Sequence, residues 1–229
     1  MRNINYTDLS PAEAIAQQVE LQSKIQIIPI NKNITSIASC DISFNRFSDV
    51  VYAGIIILSY PSLKEIGRIT VKSKAEFPYI PGLLAFREIP ALIEAWHKLN
   101  IKPDILICDG QGIAHPRRLG IATHFGLIAD IPTIGCAKSL LTGKYTEPEN
   151  STFSYSFLYD KKEVIGVALR TKKNCKPVYI SPGNGINLEQ SIEIIKNCTG
   201  KYRIPEPTRL AHLLVNQARI EDKGDLTLF

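Results

Sequence analysis

Cysteine pairs are absent from this sequence. Five cysteines occur, from Cys40 to Cys198, but no two of them form a Cys-x-x-Cys motif. An odd number of widely spaced cysteines supports neither a zinc site held by thiolates nor a disulfide framework. Free thiols are typical of proteins that fold in a reducing compartment, so the composition predicts a cytoplasmic protein.

Long apolar runs are absent as well. No apolar stretch approaches the length of a membrane span, and the N-terminal MRNINYTDLSPAEAIAQQ lacks the apolar core of a signal peptide. No repeat, low-complexity tract or linker divides the 229 residues, of which 45% are hydrophobic. We therefore expect one domain over residues 1–229 that has no membrane partner and is a monomer. Its last residues, 220–229, should be a loosely held tail.

The charge balance permits a polyanionic partner without demanding one. The 27 Lys and Arg residues outnumber the 22 Asp and Glu residues, which gives a formal net charge of +5. Many proteins with a modest positive charge bind no nucleic acid, so the motifs must decide whether this chain does.

The pattern of apolar residues predicts an α/β protein. Ser10-Pro11-Ala12-Glu13 is a capping box, and a helix should follow to about Gln22. The short run ILICD is typical of a central strand, and the strand–helix–strand pattern around it predicts a partly parallel sheet. Strands are expected near residues 34–41, 50–59, 65–73, 105–109, 132–136, 153–159, 163–170 and 177–180. Further helices are expected near 82–99, with a kink or a new helix at Pro90, and near 117–129, from 187 onward and at 207–221.

Three carboxylates stand at the edges of apolar elements. Asp41 follows ITSIASC, Asp109 closes ILICD, and Glu88 lies in LLAFREIPAL. If the two strands are adjacent, Asp41 and Asp109 emerge side by side, and Glu88 reaches them from a covering helix. Such a group could hold divalent cations that cleave a phosphodiester. The alternatives are strand-end turn carboxylates, or a helix carboxylate paired with Arg87 or Lys98.

The segment after Asp109 offers further charge and backbone freedom. Gly110-Gln111-Gly112 follows a strand, but His115 occupies the third glycine position of a dinucleotide fingerprint, so a dinucleotide site is not expected. The glycines instead let the backbone pass close to something, such as a substrate strand. His115 and the two arginines after Pro116 could stabilise a phosphate, or they could be solvated. The same alternatives apply to Lys138, which follows TIGCA.

Two loops and one helix stripe could contact a substrate. Pro78-Tyr79-Ile80-Pro81-Gly82 is a stiff loop with an apolar tip, which fits either a wedge between stacked bases or a rigid surface turn. Ser181-Pro182-Gly183-Asn184-Gly185 precedes a helix N-terminus, where free N–H groups could meet a phosphate or a base edge; it is equally a plain connection. His212 shares a helix stripe with Arg209 and Asn216, which fits a solvated face or a substrate contact.

Taken together, these stretches resemble the endonuclease V family of deoxyinosine 3′-endonucleases. The matching segments are CDISF, PYIPGLLAFREIP, LICDGQGIAHPRRLGIATHFGL, IPTIGCAKSLL, YISPGNGIN and RLAHLLVNQAR. They extend from about residue 10 to residue 220, and PYIPG followed by FRE and DGQGIAHPR is a specific combination. No motif position departs from the family pattern.

The resemblance implies an RNase H-like α/β fold with a five-stranded mixed central sheet flanked by helices. It implies metal binding by Asp41, Glu88 and Asp109, with Mg²⁺ as the cofactor and Mn²⁺ as a substitute. His115 and Lys138 would support catalysis electrostatically. Substrate contacts would come from the wedge and from a hypoxanthine pocket; the candidates are Pro78, Tyr79, Ile80, Pro81, Gly110, Gly112, Ser181, Gly183 and His212.

The implied activity is cleavage of the second phosphodiester 3′ to deoxyinosine, leaving 3′-hydroxyl and 5′-phosphate ends. The partner would be inosine-containing DNA, with single-stranded or structured DNA and RNA as further candidates. An inosine pair is weak, so extruding its base costs little. The rival functions are another RNase H-like nuclease for hybrid or branched substrates, and a nucleic-acid-binding module without catalysis. The wedge argues against the first rival and the intact carboxylates against the second.

Overall fold

The computed structural model describes residues 6–46 and 48–224, in which helices cover both faces of a mixed β-sheet. Its strands are β1 (Ser36–Phe44), β2 (Val50–Ser59), β3 (Glu65–Lys74), β4 (Ile105–Cys108), β5 (Thr133–Ala137), β6 (Tyr155–Asp160), β7 (Glu163–Leu169) and β8 (Val178–Pro182). Its helices are α1 (Pro11–Gln22), α2 (Leu84–His97), α3 (Ile121–Ala129), α4 (Leu188–Asn197) and α5 (Glu206–Gly224). Within these described ranges, no helix is long and apolar enough to cross a membrane.

The sheet order is β3-β2-β1-β4-β5-β8-β7-β6. β1, β4 and β5 run parallel, whereas β2 and β3 form an antiparallel meander beside β1. The expected sheet of five strands is too small, because β8 pairs with the outer side of β5 and is followed by β7 and β6. All residues of β5 are buried. Without β8, the backbone groups along its outer side would be buried without partners, so the sheet has to continue.

Alternation along β1 assigns its side chains to two different helical layers. Ala38 and Cys40 face the layer that contains α2 and α3. Ile37 faces the opposite layer, which contains α4 and α5. Since successive side chains of a strand point to opposite faces, Asp41 shares the face of Ile37 and lies on the α5 side. This alternation decides which helix supplies partners to Asp41.

Two helices differ from the bounds expected from the sequence. The helix expected from 117 begins at Ile121, because Arg118 adopts a left-handed backbone conformation with φ of 59°. The Arg118 side chain is held by Asp160 at 2.7 Å and Glu163 at 2.8 Å. α2 passes through Pro90 as one helix, so no second helix begins there.

Two further segments are more regular than expected. Ser181 and Pro182, expected in a turn, belong to β8. α5 continues to Gly224, into the expected loose tail, and Asp222 accepts hydrogen bonds from Tyr52 and from Lys72 at 2.8 Å. These contacts tie the end of α5 to β2 and β3. Residues 225–229 of the expected tail lie outside the described residues.

Asp104 fastens the start of β1 to the chain that enters β4. Its carboxylate accepts from Lys32 Nζ at 2.7 Å, from the backbone N–H groups of Thr35 and Ser36 at 3.0 and 3.1 Å, and from both hydroxyls. Partial burial alone would raise the pKa of Asp104, but Lys32 and the hydrogen bonds outweigh it and hold the pKa well below its ordinary value. The ionised carboxylate therefore stabilises the folded chain.

We expect Asp104→Asn to lower the free energy of unfolding at neutral pH by about 1–3 kcal/mol, since charged acceptor bonds are lost. A carboxyl whose pKa is lowered by folding contributes stability above its unfolded pKa and loses that contribution as the pH falls. The difference between wild type and variant should therefore shrink below about pH 4. Urea unfolding at several pH values measures it. A difference that stays constant down to about pH 2 would contradict this role of the ionised carboxylate.

Candidate active site

Parallel pairing of β1 with β4 brings two carboxylates to one edge of the sheet. Cys40 of β1 is opposite Cys108 of β4. Asp41 directly follows Cys40, and Asp109 directly follows Cys108. The two strands are adjacent and parallel, as the strand-end hypothesis requires. Asp41 is not the end of its strand, however, because β1 continues to Phe44 beside β2.

A histidine of α5 completes a cluster with these carboxylates. Ligand atoms of Asp41, Asp109 and His212 all lie within 4.8 Å of one another. His212 Nδ1 lies 2.8 Å from Asp41 Oδ2, and the Asn216 amide nitrogen lies 3.1 Å from Nε2. A carboxylate only accepts and an amide nitrogen only donates, so the ring proton is on Nδ1. The sequence stripe did not indicate that His212 faces Asp41 rather than solvent.

Glu88 approaches the same edge from α2 but lies outside this 4.8 Å cluster. It lines a small cavity of about 40 Å³ together with Asp41 and Asp109. Burial, followed by the charge of Asp41, raises the pKa of Glu88 to about 7. The Glu88 carboxyl therefore keeps its proton to a higher pH than an ordinary glutamate, as expected for a buried carboxyl near other acids.

The donor set fits a divalent cation. Burial raises the pKa of Asp41, and the charge of Asp109 raises it further. Acids that destabilise one another in this way are best satisfied by a cation between them. Carboxylate oxygens suit Mg²⁺ and Mn²⁺, and an added imidazole nitrogen suits Mn²⁺ as well. Asp41 and Asp109 could hold such an ion with Glu88 at the side. His212 could join them once its Nδ1 proton is displaced, because a ligating nitrogen carries no proton.

Lys138 lies directly after β5, on the far side of Asp109. Its ammonium group donates to Asp109 Oδ2, and its carbonyl accepts from Arg203 at 3.1 Å. The Lys138 side chain remains 41% exposed, so the ammonium can also face a bound phosphate. The sequence left open whether Lys138 is solvated or faces a phosphate, and the structure places it beside Asp109.

His115 does not face the carboxylates as a free cation. Its Nδ1 accepts from the Arg117 backbone N–H at 3.2 Å, so Nε2 carries the proton and donates to the Gly82 carbonyl at 3.1 Å. Burial, followed by the charge of Arg117, lowers the pKa of His115 to about 4. The ring is therefore neutral at pH 7 and fixes the loop that contains Gly82.

Three side chains converge on the Gly82 carbonyl. Besides His115, the Arg117 guanidinium donates to it at 2.9 Å and the Gln18 amide at 3.0 Å. Gln18 also accepts from Arg117. Gln18 comes from α1, far away in sequence, and no motif indicated it. The clamp holds one end of the Pro78-to-Gly82 loop in place.

That loop presents its tip to solvent. Tyr79 is 61% exposed, and its ring centroid lies 6.5 Å from that of Phe44. Pro78 and Pro81 are also exposed, whereas Ile80 is partly buried against Phe77 and its neighbours. A fixed loop with an exposed aromatic tip has the shape required of a wedge.

A cavity of about 450 Å³ lies between the loop and the carboxylates. Its lining includes Tyr79, Pro81, Gly82, Glu88, Asp109, Gly110, Gln111, His115, Ile121 and Lys138. Gln111 is buried there, and its amide nitrogen donates to the Ser139 carbonyl at 3.0 Å. Its Oε1 is buried without a hydrogen-bond partner among the described residues.

Three candidate pocket residues lie beneath this cavity rather than in its lining. The Gly112 N–H donates to Ser181 Oγ at 2.8 Å, and a Cβ on Gly112 would approach the Pro182 carbonyl to 2.1 Å. A Cβ on Gly183 would come within 2.2 Å of Thr133 Oγ1. Close packing therefore requires glycine at both positions and supports the floor of the cavity.

Comparisons with known proteins agree with this arrangement. The family profile described as Endonuclease V matches residues 13–213. The Endonuclease V of Dictyoglomus turgidum is 48% identical over 201 residues, which are 88% of this chain and 87% of that protein. The crystal structure of Endonuclease V from Streptomyces avermitilis is similar with a TM-score of 0.89 at 36% identity, covering 93% of this chain and 95% of that one.

A fourth similarity concerns a complex. The structure of Ciona intestinalis Endonuclease V in complex with a 24mer DNA containing an inosine followed by a ribo-adenosine has a TM-score of 0.79 at 28% identity. It covers 92% of this chain and 98% of that one. The eight-stranded α/β fold is accordingly of the RNase H-like type. With a profile match over most of its length and close relatives of nearly equal length, the chain belongs to the Endonuclease V family and is a nuclease.

Proposed function

We propose that this nuclease is a Mg²⁺-dependent endonuclease that recognises inosine in DNA and cleaves the second phosphodiester on its 3′ side. The observation that carries the proposal is the juxtaposition of three parts: the cluster of Asp41, Asp109 and His212, the exposed Tyr79 tip, and the cavity between them. The Ciona relative in complex with inosine-containing DNA supports the same substrate.

The cavity offers complementarity to hypoxanthine. This base carries an N1–H donor, and Gln111 Oε1 is a buried acceptor without a partner in the described chain. A buried acceptor left unpaired costs about 1–3 kcal/mol, so a base that supplies a donor is favoured. Adenine has an acceptor at N1 and would leave Gln111 unsatisfied. Sites built around such hydrogen bonds reject unmatched analogues strongly.

The catalytic steps follow from the positions of the charged groups. A cation held by Asp41, Asp109 and His212 would supply a water acidic enough to attack phosphorus and charge to stabilise the leaving oxygen. Asp41 orients His212 and is itself fixed by the Ile42 N–H at 2.8 Å. Lys138 offers positive charge to the phosphate oxygens. Glu88 lines the same small cavity as the two aspartates and would offer a further oxygen ligand to the cation.

The remaining proposals concern the cellular form of the enzyme. All cysteines among the described residues are free, including Cys40 and Cys108, whose sulfurs lie 3.5 Å apart. Unbonded sulfurs at this distance are consistent with a reducing compartment such as the cytoplasm. We propose that the enzyme is a monomer. We also propose that RNA that contains inosine is a second substrate.

The substrate assay uses matched DNA and RNA oligonucleotides that carry one inosine or one adenosine. With Mg²⁺, we expect cleavage of the inosine strand only, at the second phosphodiester 3′ to inosine, leaving a 3′-hydroxyl. Mn²⁺ should replace Mg²⁺, whereas EDTA should abolish cleavage. Mapping of the ends on a sequencing gel measures the cut position. Equal cleavage of both strands, or cleavage in EDTA, would contradict the proposal.

Asp109→Asn should reduce kcat by at least about 100-fold, because the cluster loses a charged ligand. The melting temperature without divalent cations should not fall, since the substitution relieves repulsion with Asp41. Asp49→Asn is the matched control, because Asp49 is exposed and its carboxylate pairs with Lys74 at 3.2 Å. This variant should have wild-type activity. Full activity of Asp109→Asn would eliminate the metal site as the catalytic centre.

Tyr79→Ala should weaken cleavage of inosine-containing duplex about 10-fold or more, because unstacking of the duplex loses its aromatic wedge. Cleavage of the corresponding single strand should change little, since no base pair has to be opened. The ratio of kcat/KM values for duplex and single strand measures the effect and corrects for any general loss of activity. Equal losses on both substrates would argue against the wedge.

A further inference from the structure

The far edge strand of the sheet carries an uncovered row of aromatic side chains. Tyr155, Phe157 and Tyr159 of β6 are 42%, 43% and 44% exposed, and we call them the aromatic stripe. Neighbouring ring centroids are 5.8 and 6.3 Å apart. Soluble proteins seldom leave a contiguous aromatic patch on an edge strand without a partner.

The stripe is bare because the helical layer stops one strand short of it. Val167 and Leu169 of β7 pair with Phe157 and Tyr155 and are completely buried in the cluster formed with α4. On the other face of β6, Leu158 is fully buried. β6 therefore has one covered face and one open aromatic face.

Positive charge surrounds the open face. The Lys196 ammonium, near the end of α4, lies 5.5 Å from the centroid of the Tyr155 ring. Lys161 and Lys162 are exposed at the turn that follows β6. The acids of this hairpin, Asp160 and Glu163, are paired with Arg118. Flat apolar rings next to unpaired cations suit bases joined by phosphates.

A second copy of the chain fits this edge less well. The Lys144 N–H donates to the Tyr159 carbonyl at 2.7 Å, and the Tyr159 N–H donates back at 2.8 Å. Ser156 Oγ donates to the Thr146 carbonyl as well. The segment 144–146 thus occupies the edge where a second sheet would pair. A two-fold contact would also bring like-charged lysines together.

The stripe lies on the same face of the sheet as the side chain of Asp41. The aromatic side chains share the face of Val167, which belongs to the same apolar cluster as Ile37. Asp41 shares the face of Ile37 by alternation along β1. The stripe and the Asp41 side chain therefore share one face of the sheet, which α4 and α5 cover between them.

The stripe also begins at the catalytic end of the sheet. Tyr155 is opposite Leu169, which is opposite Val178 at the start of β8. Arg203 donates to the carbonyls of Pro177, just before β8, and of Lys138. Three strand spacings separate β5 from β6, which places Tyr155 about 14 Å from the end of β5. A few nucleotides of extended single strand span that distance.

Given the proposed function, we propose that the aromatic stripe is an accessory site for single-stranded nucleic acid. It binds bases of the substrate strand that flank the inosine by stacking on Tyr155, Phe157 and Tyr159, while Lys196, Lys161 and Lys162 contact phosphates. The site contributes to substrate affinity and takes no part in the chemistry.

The test compares binding of short and long strands. The short oligonucleotide carries inosine with minimal flanks, and two others extend it by about 12 nucleotides on the 5′ or the 3′ side. Fluorescence anisotropy in EDTA, which prevents cleavage, measures affinity. One extension should improve wild-type affinity about 10-fold or more. The combined variant Tyr155→Thr, Phe157→Thr, Tyr159→Thr should lose that improvement but keep wild-type affinity for the short strand.

Three controls make the outcome specific. Ile66→Thr removes an exposed apolar side chain (44% exposed) from the opposite edge strand β3 and should keep the full improvement. The combined variant Tyr155→Phe, Phe157→Tyr, Tyr159→Phe retains aromatic faces and should keep it too. If the threonine variant fails to fold by circular dichroism, Lys161→Glu with Lys162→Glu replaces it and should reduce the improvement.

Several results would overturn the accessory site. One is that neither extension improves the affinity of wild type. Another is that the threonine variant keeps the full improvement. A third is that wild type is a dimer and the threonine variant is a monomer that binds the extended strands as well as wild type does. The proposed function is tested separately by inosine-dependent cleavage of the short strand. If that cleavage fails, the function fails, whereas extended strands without inosine still report whether the stripe binds nucleic acid.

Discussion

Repulsion between Asp41 and Asp109 is the constraint around which the site is arranged. Backbone pairing of β1 with β4 forces the two carboxylates together, so neither can move away without breaking the sheet. His212 hydrogen-bonds to the first and Lys138 to the second. Burial, and then the charge of Asp109, nevertheless keeps the pKa of Asp41 raised, and burial, and then the charge of Asp41, raises the pKa of Glu88 to about 7. The fold thus carries an electrostatic cost that a bound divalent cation would relieve, which links cation binding to the proposed catalysis.

The second organising feature is a clamp of three hydrogen bonds that holds the loop behind the aromatic tip. His115, Arg117 and Gln18 all donate to the Gly82 carbonyl, and burial keeps His115 uncharged. A wedge can separate stacked nucleobases only if the loop that carries it stays fixed. The hydrogen bonds of the clamp fix the position of the loop. In the proposed function, Lys138 supplies the positive charge at the phosphate.

How far the sequence predicts this site depends on where each signal originates. Asp41 and Asp109 were predictable because a carboxylate after a buried strand is a local pattern, and parallel pairing follows from the strand–helix–strand order. His212 was ambiguous because its helix stripe does not reveal which strand lies opposite. The role of His115 was not predictable, because burial and the nearby Arg117 depend on tertiary packing. The extent of the sheet was underestimated for the same reason: β8 pairs with β5 only after the chain has folded back.

Rigidity also explains how one enzyme could combine a base pocket with a distant cut. The cavity, Gly82 and the carboxylates are all attached to the same sheet edge, so the separation between a bound base and the cation site is fixed by the fold. A fixed separation between the bound base and the cation site would select a phosphodiester by its distance along the strand and not by the base sequence. Flanking contacts that hold the strand extended, as the aromatic stripe is placed to do, would sharpen that selection. A modest net charge of +5 is compatible with the proposed function, because in that proposal position, and not overall attraction, would determine the cut.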